Sequence, residues 1–168
     1  MTDQTGPETT VTLTLHSPEA TVDLARQIAA DLGPGDTLLL DGPIGAGKSH
    51  FCRAAISSML AAEGRDEDVP SPTFTLVQTY ELAGHDVWHV DLYRLGSADH
   101  VQELGLADAF EDAVVFVEWP DRLGGNRPDG ALDIAILPQA DDESRQITLT
   151  ARHPRWRPLL AKLGRGQT

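Results

Sequence analysis

The stretch DGPIGAGKSHF, residues 41–51, places three glycines within six residues, directly after the apolar run DTLLL at 36–40. Glycine loses more backbone freedom on folding than any other residue, so this clustering indicates a special backbone conformation. Gly42, Gly47, Lys48 and Ser49 match the pattern G-x-x-x-x-G-K-[S/T] in full, between an apolar strand and a helix. In this pattern backbone N–H groups turn inward toward phosphate oxygens, and the lysine reaches the terminal phosphates. The stretch therefore predicts a phosphate-binding loop.

All eight residues of this loop are expected to bind the nucleotide. They are Gly42, Pro43, Ile44, Gly45, Ala46, Gly47, Lys48 and Ser49. The helix that follows adds the positive end of its dipole to the phosphate site. The hydroxyl of Ser49 is the first predicted ligand of Mg²⁺.

Two acidic residues end apolar strands of the same predicted sheet. Glu118 ends AVVFVE at 113–118, and Asp91 follows VWHV at 87–90. A site built on a phosphate-binding loop takes a further carboxylate, on the magnesium side, from the tip of a neighbouring strand. We expect Glu118 to be that second Mg²⁺ ligand and Asp91 to orient or activate the attacking water. Both are predicted to be catalytic.

The nucleotide is expected to be ATP rather than GTP. A GTPase needs a D-x-x-G and an N-K-x-D element at the ends of separate strands. Here DRLG at 121–124 and NRPD at 126–129 are separated by one residue. The adenine would be held by apolar and backbone contacts and by stacking of Arg145. Trp119 either stacks near the nucleotide or covers the site as a hydrophobic lid.

Strand and helix signals alternate along the chain, which predicts an α/β fold with three layers: a central, mostly parallel sheet flanked by helices. Ser17 and Pro18 are typical of the start of a helix, in which Leu24 and Ile28 recur at helical spacing. The continuous apolar run at 113–118 is typical of a parallel strand that is covered on both faces. Other strands are expected at 11–16, 73–82, 86–93, 131–137 and 145–152, short helices at 98–111, a loop at 121–130 and a helix after 154.

Length and composition fit one domain at 11–168, preceded by a disordered leader at 1–10. The one cysteine, Cys52, fits a reducing compartment, and no apolar run is long enough to cross a membrane. We therefore expect a cytoplasmic protein without a membrane partner.

The charge distribution bears on nucleic-acid binding. A net charge of -13 argues against stand-alone binding to DNA or RNA, whose phosphates require lysine and arginine. Residues 152–168 nevertheless carry five basic residues and no acid. This tail is either a solvated C-terminal helix or a contact for an acidic partner or RNA.

Five motifs follow one another in the order and spacing of the TsaE (YjeE) family: GPIGAGKS, SPTFTLV, HVDLYRL, ELGL and VEWPDRL. The resemblance spans about residues 17–150. It implies the fold of P-loop NTPases, ATP hydrolysis with Mg²⁺, and a role in making threonylcarbamoyladenosine in tRNA. It also implies binding to TsaD and TsaB, which act on the tRNA, so that tRNA is reached only through them. On this resemblance the chain does not perform the transfer, and its hydrolysis resets the complex between turnovers.

The resemblance also implies roles for further residues. Thr73, in a switch-like loop at 71–74, would approach the terminal phosphate. Tyr93 and Arg94 match a conformationally responsive segment, and the loop at 141–145 falls where the family holds the adenine. The family commonly has Lys-Thr-Thr where this chain has Lys-Ser-His, but serine offers the same hydroxyl. His50 receives no role.

Two other functions share the phosphate-binding loop. A small-molecule kinase would add an arginine-rich lid and an acceptor pocket, and neither is evident between residues 95 and 130. A nucleotide-sensing subunit would bind ATP without turnover. Slow turnover alone does not separate such a sensor from a partner-stimulated ATPase.

Overall fold

The computed structural model describes residues 6–72, 75–95 and 98–166. Within these ranges seven strands form one sheet. The strands are β1 (Thr9–Leu15), β2 (Thr37–Asp41), β3 (Val77–Glu81), β4 (Asp86–Asp91), β5 (Val114–Glu118), β6 (Leu132–Pro138) and β7 (Arg145–Ala151). Their order in the sheet is β1-β7-β6-β2-β5-β4-β3. Strands β6, β2, β5 and β4 pair in parallel, and the pairs toward both edges are antiparallel.

Helices cover both faces of the sheet. The helices are α1 (Pro18–Ala29), α2 (Lys48–Ala61), α3 (Leu106–Asp112) and α4 (Arg157–Arg165), with 3-10 turns at Ala98–Leu104, Pro120–Asn126 and Pro154–Trp156. On β2, Leu38 and Leu40 pack in one core with α1, α2 and α4. Leu39 packs in a second core with α3 and the first two 3-10 segments. Because side chains alternate along a strand, the two cores lie on opposite faces. The predicted three-layer α/β fold is confirmed.

Local sequence signals explain the elements that frame the site. The Ser17 hydroxyl accepts a hydrogen bond from the backbone N–H of Ala20 at 3.1 Å, and Pro18 is the first residue of α1, as predicted. All five residues of β5 are buried, as expected for a parallel strand between two helical layers. α2 begins at Lys48, directly after the glycine-rich loop.

Several boundaries differ from the sequence-based expectation, among them the end of β4, which lies at Asp91 rather than at residue 93. Strand β1 begins at Thr9, within the stretch predicted as leader, because Thr9 and Thr10 pair with the end of β7. Residues 121–126, within the loop expected at 121–130, belong to the 3-10 turns at Pro120–Asn126, which kink at Gly124. Strand β3 begins at Val77 rather than at 73; residues 73 and 74 lie outside the described ranges.

None of the described helices combines the length and the apolar character that crossing a membrane requires.

Candidate functional site

The loop at 42–47 curls between the end of β2 and the start of α2. Gly42, Gly45 and Gly47 have φ angles of 149°, 81° and 109°, which side-chain-bearing residues rarely adopt. A Cβ on Gly42 would also lie 2.4 Å from the carbonyl oxygen of Ile136 on β6. Glycine is therefore required at the first position of the motif both by backbone conformation and by space.

Lys48 is folded back into this loop. Its side chain is buried, and its Nζ donates hydrogen bonds to the carbonyl oxygens of Gly42 (2.5 Å) and Pro43 (3.0 Å). Nζ also lies 4.1 Å from the ring centroid of Trp119. Burial lowers the pKa of Lys48, while the nearby carboxylates, Glu118 foremost, act in the opposite direction. The ammonium is thus held by neutral carbonyls and an aromatic face, at the place where the motif expects phosphate.

Ser49 and Glu118 meet across the site. The Ser49 hydroxyl lies 2.8 Å from Oε1 and 3.0 Å from Oε2 of Glu118, and Glu118 is 2% exposed. Ser49 lies in the first turn of α2, and Glu118 is the last residue of β5, which pairs with β2. A hydroxyl and a carboxylate are hard oxygen donors of the kind that Mg²⁺ prefers. This donor pair fits a magnesium ion bound beside a phosphate.

Asp91 ends the neighbouring strand, and its Cα is paired with that of Glu118 in the β4–β5 register. Its Oδ1 accepts a hydrogen bond from the backbone N–H of Tyr93 at 3.0 Å. Burial raises the pKa of Asp91, the Tyr93 N–H partly offsets this, and the charge of Glu118 raises it further. Two carboxylates therefore reach the same edge of the sheet in different environments.

A cleft of about 420 Å³ lies between the loop and the ends of β4 and β5. Lys48, Ser49, Asp91, Glu118 and Trp119 all line it. Trp119 directly follows β5 with a positive φ of 60°, and its ring lies 4.9 Å from that of Tyr93. Such left-handed backbone is uncommon for a residue with a bulky side chain and clusters at functional sites. The cleft has the size of a small-molecule site and is lined by both basic and acidic side chains.

A second cavity, of about 270 Å³, lies beside the loop, between α1 and β7. Arg145 lines it and donates hydrogen bonds from Nε to the carbonyl oxygen of Ala46 (2.8 Å) and from Nη1 to that of Asp142 (2.9 Å). His50 and Gly47 line the same cavity. Arg145 thus ties the loop at 141–145 to the phosphate-binding loop, at the place where the sequence predicts the adenine.

The structure brings most of the predicted residues together. The glycine-rich loop, Asp91, Glu118 and Trp119 surround the larger cleft, and Arg145 adjoins the smaller cavity next to it. Thr73 lies outside the described residues. The nucleotide-binding and catalytic roles of these residues stay predictions.

Sequence reasoning missed His89. This histidine is fully buried, and its Nε2 lies 2.7 Å from Oε2 of Glu118. The alternation within VWHVD contained a signal, because Val87, His89 and Asp91 fall on one face of a strand. Periodicity places His89 on the face of the acid at the strand tip, but it does not identify Glu118 as its partner.

Known proteins resemble this chain over much of its length. A family model described as "Threonylcarbamoyl adenosine biosynthesis protein TsaE" matches residues 15–147. The tRNA threonylcarbamoyladenosine biosynthesis protein TsaE of Bacillus subtilis is 36% identical over 150 residues, which cover 89% of this chain and 90% of that protein. The protein of the same name from Rickettsia conorii is 41% identical over 108 residues, or 64% of this chain. That match spans 60% of the Rickettsia protein's own length.

A solved structure extends the likeness to three dimensions. The crystal structure of YdiB from Bacillus subtilis superposes with a TM-score of 0.75 at 29% sequence identity. The superposition covers 96% of this chain and 99% of YdiB. From the family match over residues 15–147 and the Bacillus relative aligned over nine-tenths of each chain, this chain belongs to the TsaE family.

Proposed function

We propose that this chain binds ATP with Mg²⁺ and hydrolyses it in support of threonylcarbamoyladenosine synthesis in tRNA. One observation carries the proposal: Ser49 and Glu118 lie in hydrogen-bond contact at the mouth of a curled glycine loop that also holds Lys48. Each of these groups would bind one part of the Mg²⁺–ATP complex. Backbone N–H groups and Lys48 would bind phosphate oxygens, and Ser49 and Glu118 would hold the metal.

The chemistry divides between the metal and the residues of the chain. When bound, Mg²⁺ neutralises charge on the β- and γ-phosphates during phosphoryl transfer. Lys48 would exchange its two neutral carbonyl partners for phosphate oxygens, and this exchange would pair its ammonium with anionic acceptors. Asp91, at the tip of the next strand, would orient the attacking water.

TsaD and TsaB are the proposed partners, and the expected compartment is the cytoplasm. The choice of TsaD and TsaB follows from what the resemblance to the TsaE family implies. Two exposed side chains beside the cleft, Ile44 at 72% and Tyr93 at 43%, offer apolar contact area that a partner could cover. With a net charge of -13, the chain would reach tRNA through those partners rather than directly. Hydrolysis would then reset the partner complex rather than transfer a group itself.

The test combines binding with turnover. The chain is used to capture purified TsaD and TsaB with and without ATP, and phosphate release is then measured in the same mixtures. We expect nucleotide-dependent capture and partner-stimulated phosphate release. Asp91→Asn should keep ATP binding and lose turnover. The protein would be a sensor if ATP binds without phosphate release even with both partners, and a kinase if phosphate appears on an added small acceptor.

A further inference from the structure

A buried histidine lies directly behind the carboxylate of Glu118. His89 belongs to β4, where its Cα is paired with that of Phe116 on β5, two residues before Glu118. Because residues two apart share one face of a strand, His89 lies on the face where Asp91 and Glu118 reach the site. This is the same face that α2 covers, through Phe51 and Cys52. The imidazole is therefore enclosed between the sheet and the helix that begins at the phosphate-binding loop.

The contacts of the ring fix the position of its hydrogen. Nε2 lies 2.7 Å from Oε2 of Glu118, and His89 is 0% exposed. Within the described part of the chain, Nδ1 has no hydrogen-bond partner. An ionised carboxylate can only accept, so Nε2 must carry the hydrogen and donate it. A hydrogen on Nδ1 instead would bury an unpaired donor and leave the carboxylate facing a lone pair.

This contact makes the two oxygens of Glu118 unequal. Oε2 is held by His89 and also lies 3.0 Å from the Ser49 hydroxyl, whereas Oε1 lies 2.8 Å from that hydroxyl. Rotation of the carboxyl group would break the buried contact to His89. Oε1 is therefore the oxygen that a cation beside Ser49 would take.

From this geometry we infer that His89 is a positioning residue: its Nε2–H fixes the Glu118 carboxylate with Oε1 toward Ser49, and so sets how tightly the site binds Mg²⁺. The inference rests on the proposed function in one respect, namely that Ser49 and Glu118 hold the metal. His89 itself would touch neither metal nor nucleotide. Partners of this kind behind a metal ligand typically change metal affinity or activity about 10- to 100-fold when removed.

A competing interpretation would make His89 a metal ligand. The Cys52 sulfur, a ring nitrogen of His89 and a carboxylate oxygen of Glu118 lie within 4.8 Å of one another, and all three residues are buried. Geometry favours the hydrogen bond, because Nε2 of His89 already lies 2.7 Å from Oε2 of Glu118. Burial, foremost, and the charges of Glu118 and Asp91 raise the pKa of the Cys52 thiol well above its ordinary range. Cys52→Ala is a matched control for loss of packing at this place, and a role of Cys52 as a metal ligand would make this variant lose as much Mg²⁺ dependence as His89→Leu.

The first test measures ATP binding by calorimetry, with and without Mg²⁺, for the full chain and three variants. In the wild type we expect Mg²⁺ to increase ATP affinity. In His89→Leu this increase should be smaller by a factor of about 10 to 100, while the ATP affinity without Mg²⁺ should be unchanged. In His89→Gln, whose amide can donate to Glu118, the increase in ATP affinity caused by Mg²⁺ should stay within a few-fold of the wild-type value. Cys52→Ala should show the wild-type increase. Wild-type behaviour of a folded His89→Leu, or an equal loss in His89→Gln and His89→Leu, would overturn the inference.

The second test needs no metal and reads the ring directly. Nitrogen NMR of the wild-type imidazole should show the hydrogen on Nε2, and Glu118→Gln should shift that signal strongly. A ring nitrogen Nε2 without a hydrogen, or a signal indifferent to Glu118→Gln, overturns the inference even if His89→Leu does not fold. A wild-type chain that has the expected ring signal but no Mg²⁺-dependent ATP binding would instead refute the proposed function and confine His89 to orienting the carboxylate.

Discussion

The Ser49 hydroxyl lies 2.8 Å from Oε1 of Glu118, although 69 residues separate them along the chain. Ser49 is positioned by the start of α2 and Glu118 by the end of β5, and β2 lies beside β5 in the sheet. A buried carboxylate with a hydroxyl as neighbour is an arrangement that a divalent cation can enter by exchanging one hydrogen bond for two oxygen ligands.

Glu118→Gln keeps the size of the side chain and removes its charge. We expect Mg²⁺-dependent ATP hydrolysis with partners to fall about 100-fold or more, because charge stabilisation beside the transferred phosphate is lost. ATP affinity without Mg²⁺ should change little. Phosphate release and calorimetry measure the two effects, with Glu103→Gln at an exposed position as control. An equal loss of ATP binding and hydrolysis would indicate that Glu118 contacts the nucleotide rather than the metal.

Lys48→Ala should weaken ATP binding. A hydrogen bond to a charged group contributes about 1.5–3 kcal/mol, so the Kd for ATP should rise about 10- to 150-fold. The chain offers a matched control, since its other lysine, Lys162, is exposed on α4. Calorimetry with ATP should show no change for Lys162→Ala. An unchanged Kd for ATP in Lys48→Ala would show that Lys48 does not bind the phosphates.

Asp91→Asn should stabilise the nucleotide-free protein at neutral pH. Burial is the main cause of the raised pKa of Asp91, so ionising this carboxyl costs free energy in the folded state. Below the ordinary aspartate pKa, about 4, the carboxyl is neutral in both states and the cost vanishes. The gain in melting temperature should therefore be present at pH 7 and shrink as pH falls through the raised pKa. The control Asp129→Asn, at an exposed position, should show no such gain in melting temperature. A gain for Asp91→Asn that grows toward low pH would contradict the conclusion that ionised Asp91 destabilises the folded state.

The parts of the site that follow from local sequence were predictable. The spacing from Gly42 to Ser49 predicts the curled phosphate-binding loop from eight consecutive residues. The acids Asp91 and Glu118 end apolar runs, and the carboxyl ends of parallel strands lie at the same end of the sheet. The three-layer fold followed from the alternation of strand and helix patterns in the same way.

Features that depend on distant partners were not predictable. His89 gains its partner from a strand that lies 29 residues further along, and Thr9 joins β1 only because β7 lies next to it. Hydrophobic periodicity gives the face of a side chain but not the residue opposite it. The basic tail shows the same limit, because Arg155 is bound by aspartates from the other end of the chain.

Arg155→Ala should destabilise the fold. The guanidinium donates to Oδ1 (2.8 Å) and Oδ2 (2.6 Å) of Asp36 and to Oδ2 of Asp31 (2.9 Å). The pair is partly exposed, so we expect a loss of about 1–2 kcal/mol, or a melting temperature lower by about 2–8 °C. Lys162→Ala, in the same basic tail, should shift it by less than about 2 °C. A stable Arg155→Ala variant that fails to bind TsaD and TsaB would assign this arginine to docking instead.

Gly42→Ala should cost more stability than Gly45→Ala, although both glycines have positive φ and belong to one loop. The added Cβ at position 42 would lie 2.4 Å from the carbonyl oxygen of Ile136, whereas nothing lies within 4 Å of a Cβ at position 45. Backbone strain of about 1–2 kcal/mol applies to the Gly45 variant. The Gly42 variant adds a collision with the backbone of β6, for a further 1–3 kcal/mol or so. Urea unfolding of the two variants measures the difference. Equal losses would mean that the start of the loop can move away from β6, and that backbone conformation alone selects glycine there.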